Sequence, residues 1–199
     1  MFTPSPITLT GDFVRLEPLT SDHLDALCTV GLDSALWRWS PRKPILTRDA
    51  MAAYVDEALA EQAAGRSVPF ATVHRASNQV VGCTRFGNIV PAHKRVEIGW
   101  TWVARAWQRT AVNTEAKLLM LTHAFETWAC NRVELKTDTL NTRSRNAMKR
   151  LGCQEEGILR QHVVVADGRL RDTVYYSLVA AEWPAAKERL RAKLAQHAE

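Results

Sequence analysis

Apolar and polar residues alternate along Phe13–Leu19, as a half-buried strand requires, and the same two-residue period returns over Val68–His74, Gln79–Asn88 and Arg95–Val103. In the last of these, Val96, Ile98, Trp100 and Trp102 fall on one face, and Glu97, Gly99, Thr101 and Val103 on the other. Ser77-Asn78 is a turn signal that makes Val68–His74 and Gln79–Asn88 a hairpin. Elsewhere the period is helical. Ser21-Asp22-His23 marks a helix start, followed by apolar Leu24, Leu27 and Val30; Thr47 caps a second helix that runs to about Ala64. The strongest helix is Asn113–Ala129, with Leu118, Leu121, Phe125 and Trp128 as its apolar stripe. A strand follows over Val133–Asp138, then a helix capped by Asn141 that ends before Gly152. Asp167-Gly168 signals a type I′ turn between strands Ile158–Ala166 and Leu170–Val179. Trp37–Pro44 reads as a loop, residues 1–10 as an extended arm, and residues 182–199 as a charged C-terminal helix.

The resulting order, β-α-α-β-β-β-α-β-α-β-β, sets antiparallel hairpins on either side of one strand–helix–strand unit. It predicts a single α+β domain over residues 1–199, with no linker or repeat. Composition agrees: 46% hydrophobic and 24% charged residues describe a globular chain. The formal charge of +5 favours a polyanionic partner, but it is dispersed and lacks a lysine-rich tail. That suits a phosphorylated cofactor better than nucleic acid. No apolar run approaches the roughly 20 residues of a membrane span, so no membrane partner is expected. Cys28, Cys83, Cys130 and Cys153 form no CxxC, and six histidines show no ligand spacing. The expectation is a reduced, cytoplasmic protein without a metal.

The chemistry concentrates between Arg95 and Glu115, where a strand runs through a short loop into the long helix. The loop Gln108-Arg109-Thr110-Ala111-Val112-Asn113 offers small side chains, a guanidinium and a hydroxyl at a helix N-terminus. Free backbone N–H groups and the helix dipole favour a phosphate there. An ordinary strand-to-helix connection has the same appearance.

Three features together resemble the GNAT superfamily of N-acetyltransferases, in its Rim-type branch. Gln108-x-x-Ala111-x-Asn113 is similar to the family's pyrophosphate-binding motif, with both glycine positions substituted. Arg132–Asp138, Asn141-x-x-Ser144 and Arg150-Leu151-Gly152-Cys153 resemble that branch's second half, as does Glu156-Gly157 through Ser177. The resemblance implies a mixed, mostly antiparallel sheet with a splayed central strand pair, flanked by helices. It implies transfer of an acetyl group from acetyl-CoA to an amine by direct attack in a ternary complex. A non-catalytic acyl-CoA-binding or regulatory module is the alternative, prompted by the missing loop glycines.

Residue by residue, the resemblance assigns coenzyme A to the backbone of Trp102, Val103 and Ala104, to Gln108, Arg109, Thr110, Ala111, Val112 and Asn113, and to Asn141 and Ser144. Packing explains Trp102 equally well, and Asn141 is also a helix cap. Glu97 matches a carboxylate that deprotonates the acceptor amine, although a strand glutamate paired to Arg95 or Lys94 would look the same. Ser144 matches a general acid. The acceptor is expected near Trp37, Trp39, Arg85, Phe86 and Tyr175, since aromatics hold amine cations, while a loop tryptophan can equally cover the core. A small-molecule amine and a protein N-terminus both fit, and a homodimer is compatible.

Overall fold

The computed structural model describes residues 2–197. Met1 of the expected arm and Ala198 and Glu199 of the expected C-terminal helix lie outside the described residues. The elements are β1 (Leu9–Thr10), β2 (Val14–Pro18), α1 (Leu24–Gly31), α2 (Ser34–Trp37), α3 (Arg48–Ala63), β3 (Val68–His74), β4 (Gln79–Val90), β5 (Arg95–Val103), α4 (Ala111–Thr122), β6 (Arg132–Asp138), α5 (Thr142–Leu151), β7 (Gln154–Val164), β8 (Leu170–Val179) and α6 (Trp183–Ala195). The eight strands form one sheet in the order β1-β2-β3-β4-β5-β6-β8-β7. Among the described residues only β5 and β6 run parallel. Antiparallel hairpins thus flank a single crossover, as the element order predicts.

The sheet is packed on both faces. One core gathers Phe70, Phe86, Val96 and Ile98 against Val112, Met120, Leu121 and Leu190 of α4 and α6. The other gathers Cys83 and Trp102 against Leu27, Trp37, Met51 and Tyr54 of α1–α3. Local signals placed most elements. Thr47 caps α3 by accepting from the Ala50 amide, and Asn141 caps α5 by accepting from the Ser144 amide at 3.1 Å. Gly152 ends α5 with φ 92°, a left-handed cap that only glycine adopts without strain.

Several expectations need correction. The arm contributes β1, which pairs with β2. Ser34–Trp37 is a short helix capped by Asp33. The β7–β8 turn is not type I′: only Gly168 has positive φ, and its N–H closes onto the Val165 carbonyl at 2.8 Å. Finally, α4 begins at Ala111, two residues before the expected start at Asn113, with Thr110 as its cap. Glu115 fixes that helix to the sheet. Its buried carboxylate accepts from the Asp12, Phe13 and Val14 amides at 2.8, 2.7 and 2.7 Å, pinning the entry to β2.

Candidate active site

β5 pairs with β6 only at Arg95, Val96 and Glu97. Beyond Glu97 the two strands part, each held from its outer side: β5 by β4 as far as Val103, β6 by β8 as far as Asp138. The expected splayed pair is therefore present. A β-bulge sits beside the gap. Cys83 faces Trp102 and Arg85 faces Gly99, so Trp100 and Thr101 together oppose Thr84, and Trp100 takes φ 50°.

The bulge overturns the expected alternation. Val96 and Ile98 enter the α4 core, but Trp102 enters the α3 core. Thr101 turns toward α4, where its hydroxyl accepts from Lys117 Nζ at 2.7 Å. Thr101 and Val103 thus do not share the face of Glu97. Trp100 swings over Gly87, where any Cβ would come within 2.4 Å of its ring.

Glu97 is buried at the start of the gap. Its Oε2 accepts from Asn88 Nδ2 at 2.6 Å and from Lys136 Nζ at 2.8 Å. The partner is Lys136, across the gap on β6, and not Arg95 or Lys94. The other oxygen, Oε1, is aimed along the Gly99 backbone, within 2.9 Å of where a Cβ would stand. Glu97 lines a cavity of about 700 Å³ together with Glu57, Arg85, Asn88, Trp100 and Tyr175. The Lys136 ammonium lies 5.7 Å from the centre of the Tyr175 ring. The face of β6 opposite Val133, Leu135 and Thr137 carries Glu134, Lys136 and Asp138, so strand alternation alone pointed to Lys136.

At the other end of the gap, the loop after β5 meets the start of α5. Gln108 is spent on this junction: its Nε2 donates to the Val103 carbonyl at 2.8 Å, and its Oε1 accepts from Arg143 at 2.5 Å. Its backbone N–H closes a turn onto Arg105, and the Ala104 N–H is taken by Val81. Neither amide is free for a cofactor. The strained position of this loop is Arg109, with φ 65°, and not Ala111, which begins the helix with its side chain buried. Thr110 Oγ1 accepts from Val112 at 3.3 Å. With the Val112 amide taken, the amides of Arg109, Thr110 and Ala111 have no hydrogen-bond partner among the described residues, and the exposed Arg109 side chain stands beside them. Val112 is buried and Asn113 lies inside the first turn. Asn141 and Ser144 are partly exposed, at the end of β6.

The five acceptor candidates separate. Arg85 and Tyr175 line the cavity. Trp37 is buried in the α3 core, its Nε1 donating to the Gly31 carbonyl at 2.9 Å, and Phe86 is buried in the opposite core against Phe70 and Trp128. These two are packing residues, because the loop folds inward as α2 and because Phe86 points to the α4 face. Trp39 is partly exposed, with Arg38 over its ring.

A mixed sheet splays around one crossover, with a helix N-terminus on one side of the gap and a buried carboxylate on the other. Residues 14–154 match the family model described as "Acetyltransferase (GNAT) domain". The chain belongs to the GNAT acetyltransferases, whose general activity is acetyl transfer from acetyl-CoA. A GCN5-related N-acetyltransferase from Brucella melitensis superposes with a TM-score of 0.90 at 33% identity, over 96% of this chain and 87% of that one. RimJ from Mycobacterium smegmatis, solved in complex with CoA-disulfide, gives a TM-score of 0.82 at 27% identity, over 94% and 95%. The Bacillus subtilis (strain 168) protein named "Putative ribosomal N-acetyltransferase YdaF" is 34% identical over 106 residues, which span 53% of this chain and 57% of that relative. No helix among the described residues is long and apolar enough to cross a membrane.

Proposed function

We propose that this protein acetylates a primary amine by direct attack in a ternary complex with acetyl-CoA, and that Glu97 is the base. The observation that carries this reading is the buried Glu97 carboxylate, with Oε2 anchored by Asn88 and Lys136 and Oε1 left over the Gly99 backbone, in the wall of a cavity large enough for a small acceptor. A binding module has no need of a buried carboxylate at that point, so the enzyme is favoured over a regulatory acyl-CoA-binding protein.

Acetyl-CoA, when bound, supplies the activated acyl thioester. The chain fits it: the unpaired amides of Arg109, Thr110 and Ala111 at the start of α4, with the Arg109 guanidinium, are suited to the pyrophosphate. The unpaired edges of β5 at Trp102 and Val103 and of β6 are suited to the pantetheine arm. Asn141 and Ser144 stand at the far lip of the gap, with the Ser144 hydroxyl available as a proton donor. Glu97 Oε1 takes a proton from the attacking amine, directly or through water, while Lys136 and Asn88 hold Oε2 in place. The acceptor enters on the α3 face between Arg85, Trp100 and Tyr175. For a homodimer, β7, with Ile158, Leu159 and Val164 exposed, is the longer of the sheet's two outer strands. The ribosomal name of one relative makes a protein N-terminus a natural member of an acceptor screen.

The test is coenzyme A release across a panel of amines, by the native protein and by Glu97→Gln. The variant should lose about 100-fold or more in kcat with coenzyme A affinity within about threefold. Unchanged turnover at every pH would remove Glu97 from the mechanism.

A further inference from the structure

The charges lining the cavity do not close. Glu57 pairs with Arg42 at 2.9 Å, Glu61 with Arg66 at 2.7 Å, Glu134 with Arg95 at 3.1 Å, and Glu97 with Lys136 at 2.8 Å. Each lining carboxylate therefore has its cation. Arg85 has no ion pair of its own: among the described residues no carboxylate lies within 4.0 Å of it, Glu57 and Glu61 act on it only from farther off while the Tyr54 hydroxyl stands beside it, and its Nη2 is buried without a hydrogen-bond partner. Only 2% of Arg85 is exposed. Its guanidinium lies between two aromatic rings, 5.1 Å from the centre of Tyr54 and 5.1 Å from that of Trp100.

Taking an ion out of water is costly, and stacking on aromatic faces returns only part of that cost and leaves Nη2 without a hydrogen bond. A planar donor fork left unmatched in a cavity wall is complementary to a carboxylate, which takes two parallel bonds from it. The register fixes where that carboxylate must lie. Arg85 pairs with Gly99, and Glu97 is two residues back on the same face. Cross-strand neighbours offset by two residues stand about 7–8 Å apart at the backbone, so an amine at Glu97 and a carboxylate at Arg85 belong to one compact molecule.

Resting on the reading that Glu97 is the base, we infer that the acceptor is an amino-carboxylate: an amine with a free carboxylate a few bonds away, held by Arg85 while its nitrogen faces Glu97. Two sources carry that chemistry, a free amino acid and a peptide whose first residue is Asp or Glu. Trp100, held outward by the bulge at 36% exposure, forms the wall that the acceptor must pass.

The experiment uses matched pairs of free amino acids and their carboxamides, with Asp- and Glu-led peptide amides as a third arm, and reads coenzyme A release. Native protein should prefer each acid over its amide by about 100-fold in kcat/KM, the scale of a lost bidentate charged bond. Activity on the peptide arm in place of the free amino acids identifies the acidic N-terminus as the source and keeps the inference. Arg85→Met should shrink the acid-to-amide ratio to below about threefold, and Arg85→Lys should recover part of it. Calorimetry with an N-acetyl amino acid and its amide reads the same site without turnover, and circular dichroism shows that both variants fold. Equal use of acids and amides by the native protein, or a preference that survives in Arg85→Met, overturns the inference while leaving the acetyltransferase reading intact. Failure to acetylate any amine, with coenzyme A still bound, refutes that reading and this inference with it.

Discussion

Replacing Lys117 with Met should stabilise this protein, and do so in a pH-dependent way. Lys117 lies on α4 in the core between helix and sheet, with only 4% of its surface exposed. Its ammonium donates to Thr84 Oγ1 at 2.9 Å and Thr101 Oγ1 at 2.7 Å, with no carboxylate as partner. Burial presses its pKa down from 10.5 to about 7; the neighbouring Cys153 is the one opposing influence, and burial pushes that thiol up to about 12, so it remains neutral up to pH 10. The folded state thus binds a proton less readily than the unfolded chain between pH 7 and 10.5. The penalty is fully present below pH 7, fades as pH rises, and is gone above 10.5. At about 1.4 kcal/mol per pKa unit it reaches 4–5 kcal/mol at most. The two hydroxyl bonds lost on substitution offset about 1 kcal/mol each. Thr84 and Thr101 remain bonded to each other at 2.8 Å, so neither is orphaned. Lys117→Met should therefore be more stable than the native protein by about 2–3 kcal/mol at pH 6, and the difference should vanish or reverse by pH 10. Urea unfolding of both proteins at pH 6, 8 and 10 measures this, and groups common to the two cancel. A difference independent of pH, or a native protein more stable at pH 6, would refute the argument.

Two further perturbations test the elements that frame the gap. Glu115→Gln puts an amide group against the N–H groups that the carboxylate satisfies, and should cost about 2–4 kcal/mol in urea unfolding; a loss under 1 kcal/mol would mean that the clasp on β2 is not structural. Arg109→Gly relieves a left-handed backbone worth about 1 kcal/mol, yet removes the guanidinium beside the free amides. The melting temperature should rise while coenzyme A affinity falls about tenfold, and unchanged affinity in calorimetry would remove Arg109 from the phosphate site.

Local chemistry determined most of the architecture. Strand alternation, the caps at Thr47 and Asn141 and the left-handed Gly152 act within a few residues of themselves, so the α+β order, the single parallel unit and the strand–loop–helix at Gln108–Asn113 were legible in the chain. The resemblance to the GNAT family rested on the same contiguous motifs. Glu97 was named as a candidate because the resemblance implies a carboxylate at that strand position, and Lys136 was within reach of strand alternation. What the chain could not display is set across strands. The bulge at Trp100 and Thr101 is an extra residue measured against Thr84, and it alone sends Trp102 to one core and Thr101 to Lys117 in the other. Trp37 and Phe86 look like cleft aromatics in sequence and are packing residues, because the direction of a side chain is fixed by the layer beneath it. Arg85 is one arginine among many along the chain; only the ion pairs formed by its neighbours reveal that it is left without one of its own.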